Sequence, residues 1–275
     1  MDVINDNEGA LRLAIFLTVF LIMAGAEAWA PRKRRVMQRA SRWLTNAALA
    51  VIDTVAVRLL VPIMAVAAAE MAGARGWGVM ALLALPFWVE VLLAVVVLDL
   101  IIYVQHVVTH KVPILWALHK VHHADRDFDV TTGVRFHPVE IVLSMVVKVV
   151  CILALGLPAL GVFLFEVLLN ATAMFNHANL RLPSAVDRIL RLCLVTPDMH
   201  RVHHSARNRE TDSNYGFCLP FWDRMFGTYV AQPRDGHDDM TIGLAEYQDN
   251  RPASLQWSLL APFLGPGADR RDVDS

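Results

Sequence analysis

The sequence predicts an all-α integral membrane protein with four to five membrane-inserted helices and a polar helical cap. Long apolar runs, one proline-broken apolar stretch and a dense group of histidines support this fold class. Hydrophobic residues make up 56% of the chain, against about 45 to 50% in soluble domains, so the excess must face lipid. The net charge of -1 and the single short basic stretch argue against nucleic-acid binding.

The first apolar run, Leu11 to Trp29, is long enough to cross about 30 Å of hydrocarbon as a helix. Its acidic flank of Asp2, Asp6 and Glu8, with no small-residue cleavage site after the run, favours a retained span over a signal peptide. A basic segment follows, and the positive-inside rule predicts that it lies on the cytoplasmic side. Its cationic residues are Arg32, Lys33, Arg34, Arg35, Arg39 and Arg42.

Two more spans are predicted before the histidines begin. The second runs from about Ala47 to Met71, and the third runs from Val79 to about Leu98. A glycine-bearing turn, Gly73 to Gly78, reverses the chain between them. The third span therefore returns to the cytoplasmic side.

The next apolar stretch, residues 139–169, is too long for a single span and is interrupted by Gly156-Leu157-Pro158. Proline after glycine breaks a helix, so the stretch predicts a hairpin that enters the bilayer and returns to the same side. The histidine-bearing segments 106–137 and 177–204 flank this hairpin. Both are then expected on the cytoplasmic face, where they can meet.

Ten of the eleven histidines fall between residues 106 and 204, which is unlike a scatter of core or surface histidines. His106 and His110, in HVVTH, share one helical face. The motifs HKVHH and HRVHH each place histidines at helical positions i, i+3 and i+4, and Thr196 with Pro197 predicts the helix start before the latter. They contribute His119, His122, His123, His200, His203 and His204. His177, directly after the hairpin, supplies a ninth imidazole.

These nine imidazoles predict a two-metal site in a cytosolic helical cap. Imidazole suits iron, zinc, copper and nickel, and one ion takes roughly four to six ligands, so nine overfill a single ion. The HExxH motif of zinc hydrolases and the paired ExxH motifs of soluble di-iron bundles are absent from the sequence. A haem with two axial histidines would leave the HxxHH doublets unexplained.

Asp99 and Tyr103 are candidates for orienting the metal ligands. Both lie on the helical face of His106: Tyr103 comes one turn earlier in the chain, and Asp99 comes two turns earlier. A ligating imidazole normally donates its second N–H to an acceptor such as a carboxylate. The two side chains are therefore predicted to support the first histidine pair.

Four other polar residues are candidates for supporting or surface positions. His137, next to Pro138, is predicted to support a ligand rather than to bind metal itself. Asn214 and Asp223 either orient ligands or cap turns, and the sequence leaves both roles open. His237 lies among aspartates in a polar tail and is predicted to be a solvated surface residue.

From Asp99 to Tyr229, about half of the chain, the sequence resembles the fatty acid hydroxylase or sterol desaturase superfamily of membrane di-iron enzymes. The resemblance rests on three histidine boxes in the right order and on the terminal aromatic signature. The matching segments are DLIIYVQH, LWALHKVHH, RFHPVE, NHANL, TPDMHRVHHS and DSNYGFCLPFWDRMFGTY. One membrane-embedded domain over residues 1–275 is expected, with the family core at about 99–229.

The resemblance implies that the nine histidines bind two iron ions, for which zinc can substitute in purified protein. It implies an O₂-dependent hydroxylase or desaturase that attacks an unactivated C–H bond of a sterol, fatty acyl chain or related lipid. No catalytic side chain is expected beyond the metal ligands. A di-zinc hydrolase of membrane substrates and a metal transporter or sensor are the alternatives, although the mostly apolar spans count against a transport pathway.

Some positions depart from parts of this family. Val107 follows the first histidine where arginine is common, and Ala173 stands where fatty acid 2-hydroxylases carry a further histidine. The second difference argues against 2-hydroxylation. No electron-carrier domain is fused to the sequence, so a separate cytochrome b5-like or ferredoxin-like protein is the expected donor.

Overall fold

The computed structural model describes residues 2–264, with side chains from residue 7 onward. Met1 and residues 265–275 of the predicted domain, and the side chains of Asp2 and Asp6 in the acidic flank, lie outside the described part. Within the described part, helices and turns account for the fold, and β-pairing is limited to isolated bridges such as Pro31 with Leu180. The predicted all-α class is confirmed.

Helices follow one another along the whole described chain. In the first two thirds they are α1 (Asp2–Trp29), α2 (Arg39–Leu60), α3 (Ala65–Arg75), α4 (Met80–Leu83), α5 (Phe87–Lys111), α6 (Pro113–His123), α7 (Pro138–Leu155) and α8 (Ala159–Asn176). Shorter helices follow: α9 (Ser184–Leu190), α10 (Pro197–His203), α11 (Asn208–Thr211), α12 (Phe221–Met225), α13 (Gly236–Asp239) and α14 (Leu255–Leu260). Single 3-10 turns lie at Thr132–Val134, Ala245–Tyr247, Arg251–Ala253 and Ala261–Phe263.

Five described segments are long and apolar enough to cross a membrane, in agreement with the predicted four to five. They are Asn7–Trp29, Arg39–Arg75, Phe87–Lys111, Pro138–Leu155 and Ala159–Asn176. The predicted third span, Val79 to Leu98, has the wrong bounds: α5 begins after Pro86 and runs without a break past His106 and His110. The predicted second span is two helices, because Pro62 interrupts it between α2 and α3.

Helices α7 and α8 form the predicted hairpin. Gly156 ends α7 in the left-handed conformation, with φ 68°, and Pro158 precedes α8. Gly156 packs against the backbone of Trp77 and Gly78 so closely that a Cβ on either glycine would overlap the other segment. Because Gly78 lies beyond the far end of α3, the hairpin reaches as deep as the second span before it turns back.

The packing of α5 on α8 sets the position of the histidines. Gly161 of α8 faces Ala94 and Val91 of α5, and a Cβ at position 161 would collide with the Ala94 side chain. Small residues at such crossings let two membrane helices approach closely. The contact aligns the histidine-bearing end of α5 with the end of α8 that precedes His177.

A buried ion cluster fastens the cap to α2. Arg42, fully buried, donates to both carboxylate oxygens of Asp125 at 2.6 and 2.7 Å and to Asp129 at 2.8 Å. These aspartates belong to the loop between α6 and α7, directly after His122 and His123. One residue of the predicted basic segment therefore acts inside the protein, and the positive-inside argument rests on the others.

Replacing Arg42 with alanine is expected to lower the free energy of unfolding by about 3 to 5 kcal/mol, because it leaves buried carboxylates without their partner. Denaturant unfolding of the detergent-solubilised protein measures the change. Arg39→Ala is the matched control, since Arg39 is exposed and only stacks over the Trp43 ring at 4.0 Å. Equal losses in the two variants would contradict the anchoring role of Arg42.

Candidate metal centre

Four helices end at one place and bring the histidines together. The last turns of α5 carry His106 and His110, α6 carries the HKVHH motif, and His177 directly follows α8. Helix α10 carries the HRVHH motif, and its start is confirmed, with Pro197 in its first turn and the Thr196 hydroxyl accepting from the Met199 N–H. The hairpin therefore delivers its flanking segments to the same end of the molecule.

All nine predicted histidines lie in two compact groups, in each of which the ligand nitrogens are within 4.8 Å of one another. The first group contains His106, His110, His119, His123 and His203. The second group contains His122, His177, His200 and His204. Each HxxHH motif is divided between the groups, because neighbouring residues on a helix project about 100° apart. The two groups are adjacent, with the rings of His123 and His204 stacked at 4.5 Å.

Hydrogen bonds fix which ring nitrogens of the first group face inward. His106 donates from Nδ1 to the Tyr215 carbonyl at 2.7 Å, and His203 donates from Nδ1 to the Ser213 carbonyl at 2.7 Å. A carbonyl only accepts, so in each neutral ring Nδ1 holds the proton and Nε2 carries a lone pair. These two Nε2 atoms are 3.0 Å apart. Two lone pairs this close repel each other unless a cation binds both.

The second group has the same arrangement. His122 donates to the Arg135 carbonyl at 3.0 Å and His177 to the Ala173 carbonyl at 2.7 Å, while their Nε2 atoms lie 3.2 Å apart. Burial lowers the pKa of His177 to about 4. Burial, together with the nearby His177 ring, also lowers the pKa of His122 well below its usual value. A proton is therefore a poor partner for these nitrogens at neutral pH. Two imidazole nitrogens that bind one ion at about 2.0 to 2.1 Å would lie about 3 Å apart, so both groups fit a metal ion.

The histidines are screened from water. All nine are buried. The Phe136 ring is stacked on His122 at 4.5 Å, and Phe217 lies 4.9 Å from His106. Trp116 and Phe128 complete the aromatic surroundings of the two groups. Solvated histidines would not need such a wall, whereas a reactive metal site requires one.

Glu140 is an orienting residue that sequence reasoning missed. Its Oε1 accepts from His119 Nδ1 at 2.6 Å, while His119 Nε2 lies 3.1 Å from His106 Nε2 and 3.2 Å from His123 Nε2. This is the carboxylate–histidine arrangement that fixes the tautomer of a metal ligand. The sequence did contain a signal for this role: in RFHPVE, Glu140 is a carboxylate in the first turn of α7, which begins next to the histidine-bearing segment.

The predicted contacts of Asp99 and Tyr103 with a histidine are not made. The Asp99 carboxylate accepts from the Trp222 indole N–H at 2.8 Å and from backbone N–H groups of Cys218 and Leu219. The Tyr103 hydroxyl lies 2.8 Å from the Thr228 hydroxyl. The two residues do share the helical face of His106. At their position, one to two turns before His106, this face contacts the segment 215–229 and not a histidine.

Asn214 and Asp223 hold the segment that supports His106. Asp223 accepts from the backbone N–H groups of Tyr215 and Gly216, at 2.8 and 2.9 Å. Asn214, in the left-handed region with φ 49°, donates to the Met199 carbonyl of α10 at 2.9 Å and to the Val230 carbonyl at 2.8 Å. The Tyr215 carbonyl, which accepts from His106, belongs to the same peptide group as the Gly216 N–H. Asp223 therefore orients His106 through this peptide group and also caps a turn.

His137 and His237 lie outside both groups. His137 caps α7, its Nδ1 accepting from the Val139 N–H at 3.2 Å, and it has no contact with the nine histidines among the described hydrogen bonds. The predicted solvation of His237 is wrong: the ring is buried and its Nε2 lies 3.8 Å from Asp198. The tail folds back over α10, where Met240 and Ile242 pack on Phe128. Burial lowers the pKa of His237 to about 4.

Comparison with known proteins decides the family. The model of the family described as fatty acid hydroxylase matches residues 91–228, which is half of the chain and includes all nine histidines. The chain belongs to the fatty acid hydroxylase family. The resemblance found in the histidine boxes is confirmed, and this member of the family carries them on the helix ends described above.

Curated relatives of this fatty acid hydroxylase-family chain are named for lipid oxidation. The ornithine lipid hydroxylase OlsE of Rhizobium tropici is 31% identical over 57% of this chain and 46% of its own length. The alkylglycerol monooxygenases of Xenopus tropicalis and Homo sapiens are 34% and 32% identical, each over 47% of this chain and 28% of the relative. The alignments thus span less than half of each of these relatives. No solved structure matches the chain.

Proposed function

We propose that the protein is an O₂-dependent di-iron lipid hydroxylase. The observation that carries the proposal is the pair of buried groups in which unprotonated imidazole nitrogens converge at 3.0 to 3.2 Å. Two groups of five and four imidazoles fit one ion each. Family membership makes iron the metal of choice over zinc, copper and nickel, which imidazole also binds.

Oxygen insertion is the reaction class we propose, in preference to desaturation. The relatives are named a hydroxylase and a monooxygenase. Iron, when bound, supplies O₂ activation and oxidation of a C–H bond. Overall, one oxygen atom enters the lipid and the other leaves as water, with two electrons from a separate donor protein and two protons from the aqueous phase.

The chain's own residues then have three tasks. Backbone carbonyls and Glu140 hold the Nδ1–H groups, so that Nε2 of each supported ring stays available. The aromatic wall excludes water, which would otherwise compete at the site. The ends of the membrane helices place the histidines at the boundary of the bilayer, where a lipid reaches them without leaving the membrane.

Oxygen-isotope labelling tests the proposed reaction. Membranes that contain the iron-loaded protein, a reductant system and either an ornithine lipid or an alkylglycerol are incubated under ¹⁸O₂. Mass spectrometry is expected to find one ¹⁸O atom in a product that His200→Ala membranes form at least about 100-fold more slowly. A product formed without O₂ and without label would instead support the di-zinc hydrolase, and unaltered lipids in every mixture would refute a lipid oxygenase.

We also propose that the metal centre lies on the cytoplasmic side. The cationic residues that remain at the surface near the centre, such as Arg34 and Arg39, favour this orientation. The exposed native Cys193 should then react with a membrane-impermeant maleimide in inside-out vesicles but not in intact cells. A cysteine in place of the exposed Ala74, near the far end of the second span, should react in intact cells. The reverse pattern would contradict the orientation.

A further inference from the structure

A basic cavity lies beside the metal centre in the connection between the first two membrane segments. Its volume is about 720 Å³. Its lining includes five cationic residues and one carboxylate: Arg32, Lys33, Arg34, Arg35, Arg181 and Asp238. None of these residues belongs to the histidine groups or to their supporting hydrogen bonds. The cavity is therefore distinct from the metal-binding residues.

Positive charge in this cavity exceeds negative charge. Arg32 and Arg181 both pair with Asp238, which is the carboxylate of the lining. The Arg35 guanidinium lies 3.5 Å from the carboxylate of Glu27, which is not part of the lining. Arg34 is exposed and has no ion pair or hydrogen bond among the described residues. An anion that enters the cavity thus meets at least one guanidinium that nothing else occupies.

The wall of the cavity is built before any ligand arrives. Lys33 N–H donates to Asn179 Oδ1 at 2.9 Å, and Asn179 Nδ2 donates to the Lys33 carbonyl at 2.8 Å. Arg32 N–H donates to the Asn179 carbonyl, and Arg181 N–H donates to the Ala30 carbonyl. This ladder ties the basic segment to the chain that leaves α8. A preformed site loses less ordering entropy on binding than a flexible loop.

We expect the cavity to lie at the depth of lipid headgroups. It falls between Trp29, which ends the first candidate span, and Arg39, which begins the second. Trp29 is 89% exposed and Val36, in the lining, is 60% exposed. Exposed tryptophan at the end of a span is typical of the membrane–water interface. An apolar surface beside an arginine cluster suits a ligand that has both an acyl chain and an anionic head.

We propose that this cavity binds the phosphate headgroup of an anionic phospholipid from the surrounding leaflet. Arginine forks recognise phosphate oxygens in pairs, which explains a lining with four arginines. The lipid chain lies along the exposed apolar surface near Val36 while the headgroup occupies the cavity. The bound lipid is a fixed neighbour of the loop that follows His177, and it is distinct from the lipid that is oxidised.

Native mass spectrometry of the full-length protein tests the proposal without any assay of metal or activity. The protein, stripped of lipid in detergent, is titrated with phosphatidylglycerol or with phosphatidylcholine. Wild type is expected to prefer phosphatidylglycerol. Arg34→Gln alone should weaken that binding by about fivefold, and adding Arg181→Gln in a double variant should weaken it by about another fivefold. Equal binding of the two lipids by wild type would overturn the proposal.

Arg39→Gln is the matched control, because it removes one charge from the same connection outside the cavity. Its phosphatidylglycerol affinity should equal that of wild type, and a loss as large as that of Arg34→Gln alone would overturn the site in favour of general attraction. Inorganic phosphate at the concentration of the lipid should not displace it. Displacement would identify a free phosphate site and refute the lipid as ligand.

Discussion

His200→Ala is expected to lower the metal content of the purified protein from close to two ions per chain to about one, with turnover reduced at least about 100-fold. His200 belongs to the smaller group, where its loss leaves three imidazoles: His122, His177 and His204. Loss of a residue that merely orients a ligand costs about 10- to 100-fold in affinity or activity, and loss of the ligand itself should exceed that. Elemental analysis and the ¹⁸O assay measure the two effects.

The larger group supplies an internal comparison. His203→Ala leaves four imidazoles in its group, so it should lose metal to a smaller extent than His200→Ala. His237→Gln serves as the control, because His237 is buried in the cap but lies outside both groups. Wild-type metal content in both His200→Ala and His203→Ala would refute the two-metal assignment.

Glu140→Ala is expected to reduce metal affinity or turnover by about 10- to 100-fold while leaving every candidate ligand in place. The carboxylate holds His119 by a 2.6 Å hydrogen bond, and without it the ring is free to rotate or to change tautomer. Glu140→Gln keeps an acceptor oxygen but removes the charge, so it should retain more affinity than Glu140→Ala. Chelator competition measures the metal affinities.

A spectroscopic readout separates orientation from simple loss of packing. The Mössbauer parameters of the iron-loaded protein should shift in Glu140→Gln, because the electron density that His119 donates depends on its hydrogen-bond partner. Glu90→Gln is the control, since Glu90 is a half-buried carboxylate at the opposite end of α5. Unchanged spectra and unchanged affinity in Glu140→Ala would show that Glu140 has no role at the metal.

Sequence periodicity predicted the membrane helices and the grouping of the nine histidines, because both depend on local chemistry. The length of apolar runs predicts membrane helices, and Gly156 with Pro158 predicts the hairpin. The confinement of imidazoles to short helical motifs then predicts a metal centre. These signals need no knowledge of which helices touch.

The division of the histidines and the identity of their partners depend on tertiary contacts. His122 and His123 are adjacent in sequence yet belong to different groups, which only the arrangement of four helix ends decides. The carbonyls of Tyr215 and Ser213, which fix the rings of His106 and His203, belong to the DSNYG segment, and nothing in its side chains predicts which rings its backbone faces. Asp99 failed as a partner for the same reason, since its face meets that loop and not a ring.

The division of the HRVHH motif between the groups also determines when the centre can exist during synthesis of the protein. The first group needs His203, and the second needs His200 and His204, all from the last helix of the centre. A nascent chain that ends before α10 therefore lacks both complete groups, although it has already inserted its membrane helices. Under the proposed two-metal assignment, the metal is then acquired after translation has passed this helix, by a protein that is already in the membrane.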